Sequence, residues 1–363
     1  MKNFLSKVFA VVLVFVVAPV CAAEENELHV GVMLCLTGDC AEWGTNGLNG
    51  VELAAEELNA RGGILGEKVR LVVEDSRDTS PSVSVSAYRK ITEDRDIRYI
   101  VGPTWTVGGM PIAPLIAKNQ DLVVMSPSVG VKEFNEASSN IFNDWPHDEV
   151  ATRAIAKYAF ERGWKKAAIF GSQDPFYVTQ TNIFASEFTR RGGIITLKEE
   201  PLPASRELKA EALRIKTADP DFVVFTNYQA DVMAKELAAI KYSKPILAIQ
   251  MERNRVREAG GTLEGVVFAM YENPAPNFVE NFRKKFGAEP GVSADTAYDA
   301  LMVYAKAAQA AGSTEPKKVR QTLLGIKNFQ GASGTFSFNE NGSVDKAPIL
   351  WRVKGMEYER VKN

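Results

Sequence analysis

The chain reads as an α/β protein of two lobes, each built on a parallel sheet. Three observations predict this. Short apolar runs alternate with amphipathic helical segments from Leu28 onward, the pattern of successive βαβ units. The alternation breaks near Phe142-Asn143-Asp144-Trp145 and then restarts. The length, 363 residues, exceeds what one ordinary core organises.

The first unit organises the rest. Leu28 to Leu34 is an apolar run, as expected for a strand covered on both faces. A Gly-containing turn follows, and Thr45 or Asn46 can cap the next helix. On that helix Val51, Ala54, Ala55 and Leu58 fall at helical spacing. Arg61-Gly62-Gly63 ends it, with glycine where a left-handed residue is needed. Val69 to Val73 is the second strand. The first turn of such a unit lies at a strand's carboxyl end, where ligands collect in open α/β sheets.

Pro81 opens the next helix, to about Glu93. Tyr99 to Val101 is a strand that exits through Gly102-Pro103-Thr104-Trp105-Thr106. A short helix spans about Met110 to Lys118. Leu122 to Met125 is a strand, and Ser126-Pro127-Ser128-Val129-Gly130 is its exit. After the break, helices are predicted at about Asp148–Glu161, 207–216 and 231–240, with another ending at Arg191-Gly192-Gly193. Strands alternate with them at 167–170, 194–197, 222–226, 246–249 and 266–270. Three helices follow, at about 277–286, 294–311 and 316–324. The chain closes in short strands from Gly331, with a turn at Asn341-Gly342.

Lys2 and Lys7 precede an apolar run from Val8 to Val17, then small residues to Ala23 and acidic ones after. That is the form of a secretory signal peptide. The run is too short to span a bilayer comfortably. Cleavage is expected after Ala22 or Ala23. A lipid anchor on Cys21 is not expected, because Val20 is too large for the residue before such a cysteine. An exported, soluble protein in the periplasm follows as the expectation.

Export leaves Cys35 and Cys40 as the mature cysteines, in an environment that does not protect thiols. They flank a turn containing Thr37-Gly38-Asp39, a spacing open to a disulfide. Such a loop would contribute roughly 2 kcal/mol in the chain-entropy model. Two free thiols, one buried at the strand end, are the alternative, and export favours the disulfide. Two cysteines and a distant His29 are too few ligands for a metal. The net charge of −2 argues against nucleic acid as the main partner. His29 and His147 pair with no evident nucleophile, and no phosphate-binding glycine motif is present. An enzyme is therefore not expected, and no cofactor is.

Several short stretches together resemble the exported type I solute-binding proteins of the leucine/isoleucine/valine-binding group, receptors of ABC importers. They are Leu36-Thr37-Gly38, Gly44, Asn59-Ala60-Arg61-Gly62-Gly63-Ile64-Leu65-Gly66, Glu74-Asp75, Val101-Gly102-Pro103, Ser126-Pro127-Ser128, Ala297-Tyr298-Asp299-Ala300, and Gly331 with Gly334-Thr335-Phe336 and Phe338. The resemblance implies two Rossmann-like lobes joined by three crossovers, near Asn143–Trp145, Met270–Asn273 and Gly331–Phe336. Lobe 1 would then hold 24–144 and 272–332, and lobe 2 would hold 145–271 and 333–363. It implies a monomer that closes on a small ligand and docks on an inner-membrane ABC permease. A branched-chain or other hydrophobic amino acid is the expected ligand. A periplasmic sensor, or a binder of an aromatic acid, amide or urea, is the rival reading.

The resemblance also implies site residues. Thr106, beside Trp105, matches the position that binds a ligand carboxylate; from its own spacing it would be a turn hydroxyl. Ser128 and Gly130 match positions that hold the amino group. The family often carries Thr where this chain has Gly130, so a hydroxyl is missing and a larger ligand could use the space. Trp43 matches an aromatic that packs on the ligand, against the alternative of a tryptophan covering its turn. Trp105 is a second wall candidate that could equally be core. Tyr177 and Tyr228 match cleft tyrosines, against ordinary surface packing. Glu252 matches the acid that faces the ligand ammonium, against a solvated charge cluster with Arg253 and Arg255. Were either arginine to face the cleft, a dicarboxylate would fit better.

Overall fold

The computed structural model describes residues 26–77, 80–203, 205–271 and 274–362. The expected signal segment lies outside these residues. The first lobe begins with β1 (Glu27–Leu34), α1 (Ala41–Ala60), β2 (Lys68–Asp75), α2 (Pro81–Arg89), β3 (Tyr99–Val101), α3 (Thr106–Lys118), β4 (Val123–Ser126), α4 (Lys132–Glu136) and β5 (Ile141–Asn143). These strands form one parallel sheet in the order β2-β1-β3-β4-β5. The order reverses between β1 and β3, so the loops after these two strands part and leave a crevice.

The second lobe holds α5 (Asp148–Glu161), β6 (Lys166–Phe170), α6 (Pro175–Arg190), β7 (Ile194–Glu199), α7 (Lys209–Thr217), β8 (Phe222–Phe225), α8 (Ala230–Ala239), β9 (Ile246–Ala248), α9 (Arg253–Glu258) and β10 (Val267–Met270). The chain then returns to the first lobe through α10 (Pro276–Phe286), α11 (Ala294–Ala311), α12 (Pro316–Gly325) and the hairpin β11 (Phe329–Gly331) and β12 (Gly334–Phe336). It ends in the second lobe with β13 (Ile349–Lys354) and β14 (Glu357–Arg360). The second sheet runs β14-β13-β10-β9-β8-β6-β7. It is parallel from β10 to β7, and β13 and β14 add antiparallel at its edge. Its order reverses between β6 and β8, the counterpart of the first lobe's crevice.

Two helices start earlier than their sequence suggests. α1 begins at Ala41, directly after Cys40, rather than after Thr45 or Asn46. The Cys35–Cys40 disulfide ends the loop and brings the chain at once into the helix. α3 begins at Thr106, with Gly108 and Gly109 in its first turn. Glycine disfavours a helix interior, so that turn carries no helical pattern in the sequence.

The third crossover is also displaced. Phe336, Phe338 and Val344 are buried in the first lobe's core, not in the second lobe where residues 333–344 were expected. Phe336 packs on Phe329, and Phe338 meets Phe142 edge to face with ring centroids 5.2 Å apart. Asn143 N–H donates to Gly342 C=O at 2.9 Å, so this segment covers the end of β5. The chain leaves the first lobe only between Val344 and Ile349.

Buried hydrogen bonds fix the first lobe's late segment and the first two crossovers. Asp299 of α11 accepts from Ala332 N–H (2.6 Å), Ser333 N–H (2.7 Å) and Ser333 Oγ (2.6 Å). Burial raises its carboxyl to about 6, although these donors act the other way. Tyr271, just past β10, donates its hydroxyl to His147 C=O (2.9 Å) and accepts from Ala151 N–H (3.1 Å). Among the described residues no helix is long and apolar enough to cross a membrane.

α1 and α11 approach closely because Gly50 faces the backbone of Ala294. A Cβ on Gly50 would lie 2.0 Å from the Ala294 carbonyl oxygen. Gly50→Ala is therefore expected to cost about 1–3 kcal/mol through overpacking, read as a lower urea midpoint at unchanged slope. The pH dependence of stability gives a second test. Between pH 4 and 6 native Asp299 holds a proton that the unfolded carboxyl, at its ordinary value, releases. This group's contribution is full below pH 4 and declines as pH rises towards 6. Asp299→Asn is expected to remove that part of the slope while lowering stability at every pH, because fewer acceptor sites then serve three donors.

Candidate functional site

The loops at the two crevices face each other and enclose a cavity of about 340 Å³. The first lobe contributes the loops after β1, β3 and β4, the second contributes those after β6, β7, β8 and β9, and the start of α5 adds Asp148.

The loop after β1 is braced at both ends. Cys35 and Cys40 are fully buried and joined, with Cα atoms 5.8 Å apart. Cys35 N–H donates to Thr104 Oγ1 at 2.9 Å. Asp75 accepts from Leu36 N–H (2.9 Å) and Thr37 Oγ1 (2.6 Å). Burial alone would raise the Asp75 pKa; the bonds from Thr37, Leu36 and Arg77 hold it below the ordinary value. So fixed, the loop sets Trp43 in the first turn of α1, facing the other lobe.

Aromatic rings then run across the cleft. Trp43 lies 5.7 Å from Trp145 and 6.2 Å from Trp105, the latter edge to face. Trp105 is 6.4 Å from Tyr228, and Tyr228 is 5.8 Å from Tyr177. Offset and edge contacts at these distances are favourable beyond area burial alone. Trp43 and Trp105 come from the first lobe and the tyrosines from the second, so the lobes are closed. Tyr228 adds a bond between lobes, its hydroxyl donating to Asp39 Oδ2 at 3.3 Å. Burial, then Asp39, pushes the Tyr228 pKa up to about 12.

Polar groups cluster at two ends. Thr106 and Val107 line the cavity at the start of α3, where the leading N–H groups have no partner inside the helix. Ser128 lines the same region, with its hydroxyl committed to Thr104 C=O at 2.7 Å. Beside it, Gly130 meets Asp148, the first residue of α5. Asp148 N–H donates to Gly130 C=O at 2.8 Å, and Trp145 Nε1–H donates to Asp148 Oδ1 at 2.9 Å. A Cβ on residue 130 would sit 1.6 Å from Asp148 Oδ2. Burial raises the Asp148 carboxyl to about 7, and the Trp145 bond acts against it.

At the other end Gln250 Nε2 donates to Tyr177 Oη at 3.3 Å. Asp174 caps α6, accepting from Phe176 N–H at 2.9 Å. Among the described residues lining the cavity there is no lysine, arginine or histidine.

Of the residues singled out in the sequence, Trp43, Trp105, Thr106, Ser128, Gly130, Tyr177 and Tyr228 all line this cavity. Glu252 does not. It is the extended residue before α9, 6% exposed, with its carboxyl near Trp43 of the first lobe and 3.9 Å from Arg255 Nε. Burial raises it to about 7, with Arg255 lowering and Glu42 of the first lobe raising it. Neither arginine beside it lines the cavity. Arg255 is buried against Asp231 (3.6 Å) and Glu258 (3.2 Å), below the Tyr228 ring. Arg253 pairs with Glu357 at 2.7 Å. The dicarboxylate alternative thus loses its cation. Asp39, Asp148, Asp174, Phe176 and Gln250 also line the cavity and escaped notice in the sequence. Asp148 carried a signal, since it follows the Asn143–Trp145 break; the others are ordinary loop and cap residues.

A family model described as periplasmic binding protein matches residues 27–356. A Leu/Ile/Val-binding protein of Rhizobium johnstonii is 25% identical over 328 residues, covering 88% of this chain and 89% of its own. A branched-chain amino acid transporter substrate-binding protein of Streptococcus pneumoniae, solved with isoleucine, has a TM-score of 0.86 at 20% identity, covering 93% of this chain and 100% of its own. A solute-binding protein of an ABC transporter from R. palustris, solved with benzoate, has a TM-score of 0.83 at 18% identity, over 93% and 96%. The match to the family model takes in both sheets and every loop that lines the cavity, and the chain belongs to the periplasmic binding protein family.

Proposed function

We propose that this protein is an exported receptor that captures a small amphiphile between its lobes and delivers it to an ABC permease in the inner membrane. The proposed ligand is an amino acid with a hydrophobic side chain. The observation that carries the reading is the closed cavity itself, which offers polar groups at two ends and aromatic rings from both lobes between them. Unpaired N–H groups at a helix start favour a carboxylate, which assigns Thr106 and its neighbour to the acid end of the ligand. The Ser128 backbone carbonyl is an acceptor for an amine. Trp43, Trp105, Tyr177 and Tyr228 form the apolar wall. Few convergent polar groups in a mostly apolar pocket are what a small-ligand site requires.

Capture follows from closure. An open form presents a half-site on each lobe, and the ligand bridges them. Moving the population from 1:99 to 99:1 closed takes roughly 5.5 kcal/mol of differential binding. Apolar burial supplies about 25 cal/mol per Å² towards it. The delivery step acts on the closed monomer.

Leucine, isoleucine, valine and phenylalanine are expected to raise the melting temperature in a way that grows with ligand concentration. The bound protein is expected to have a smaller radius of gyration by X-ray scattering. No shift with any of the four would overturn the amino-acid reading. Tyr228→Phe removes the bond to Asp39 across the cleft but keeps the ring. It is expected to weaken binding by about 0.5–1.5 kcal/mol, measured by calorimetry, with little change in the stability of the unliganded protein.

A further inference from the structure

We infer that the acid which receives the ligand's ammonium is Asp148, at the hinge, and that Gly130 sets this specificity by leaving room for it. The inference rests on the reading of the cavity as an amino-acid site and goes beyond it, because it makes the amine obligatory and excludes bare carboxylic acids as ligands.

An ammonium closed off from water needs an acidic partner or several acceptors. Glu252 is not among the residues lining the cavity; its buried carboxyl lies behind the wall, near Trp43 and 3.9 Å from Arg255. Asp39, which also lines the cavity, is exposed and accepts from Tyr228. Asp174 is occupied capping α6. Asp148 remains. It lines the cavity beside Ser128 and Gly130, at the wall where Thr106 and Val107 begin α3. An α-ammonium is one carbon away from its carboxylate, so both poles must be met at one wall.

The local geometry is built for this. Trp145 Nε1–H holds Oδ1 of Asp148, which fixes the carboxyl and leaves Oδ2 in the notch at Gly130. Any side chain at residue 130 would start 1.6 Å from that oxygen. A threonine there would offer a hydroxyl and expel the carboxylate; glycine admits the carboxylate instead. An ammonium in the notch would meet Oδ2 and the Ser128 carbonyl region together, and opposite charge at contact favours the ionised acid. Trp145 is a positioning residue, since it lies behind Asp148 and does not line the cavity.

A bare acid has no such match. It would place a negative charge beside Asp148 in a cavity whose described lining residues include no basic side chain. This separates the protein from its benzoate-bound structural neighbour in ligand class while leaving the fold alike.

The test compares each amino acid with its counterpart lacking the amine: leucine with 4-methylpentanoate, and phenylalanine with 3-phenylpropanoate. Titration calorimetry on the full mature chain gives the affinity ratio. The wild type is expected to favour the amino acid by at least about 100-fold, and not to bind benzoate. Asp148→Asn keeps the acceptor for Trp145 and is expected to cut the ratio at least about tenfold, mainly by weakening the amino acid. Gly130→Ala, which displaces the carboxyl without removing it, is expected to act in the same direction. Glu252→Gln is expected to leave the ratio unchanged. A ratio within threefold of wild type in Asp148→Asn, or a collapse in Glu252→Gln, overturns the assignment to Asp148 while the amino-acid reading stands. Failure of the wild type to bind either amino acid overturns that reading and this inference with it.

Discussion

Strands that run parallel must be joined by crossovers, and that constraint underlies everything else in this protein. Every loop that follows a strand emerges at the same end of its sheet. In each lobe the strand order reverses once, between β1 and β3 in the first and between β6 and β8 in the second. Adjacent loops part at those points. Two such ends set face to face enclose a cavity without any element having to be hollowed out. The chemistry of the wall is then free to vary with the loop residues while the sheets stay closely packed.

The cavity is closed by side chains that belong to one lobe and pack with the other. Trp43 rises from α1 yet is buried with the second lobe's core, against Trp145. Tyr228 reaches back from the second lobe to Asp39. Opening the cleft therefore exposes the Trp43 ring and breaks one hydrogen bond, and closure recovers both. The first two crossovers, in contrast, are tied to each other by the buried bonds of Tyr271 to His147 and Ala151.

Asp148 sits where those two systems meet. It begins α5 directly after the first crossover, is gripped by Trp145, and forms part of the cavity wall. A carboxyl in that place ties ligand charge to the hinge and not to the moving face of the second lobe. The buried set of Glu252, Arg255 and Asp231 lies under Tyr228, outside the cavity lining, and backs the wall formed by Trp43 and Tyr177.

Much of this was legible in the sequence because it is written in local periodicity. Apolar runs and helical stripes mark the alternation, Gly-Gly pairs end the helices, and the break near Trp145 marks the change of lobe. The cleft aromatics Trp43, Tyr177 and Tyr228 were legible through the family resemblance; their positions after strand ends agree with it, but spacing alone left ordinary packing open. What stayed hidden depends on distance through space. Phe336, Phe338 and Val344 return to the first core through ring contacts with residues as remote as Phe142, which no spacing rule reports. Glu252 looks like a cleft acid until the fold buries it behind the cavity wall, near Trp43 and Arg255. Gly130 reads as a missing hydroxyl until Asp148, eighteen positions on, fills the notch beside it. The sequence alone determined the layers, the crevices and the loops that face them, since hydrogen-bonded strands and crossover helices follow from short-range pattern. Only the tertiary structure decided that the Asp148 carboxyl reaches the cavity beside Ser128, because that turns on whether one Cβ is absent at a close approach between two segments.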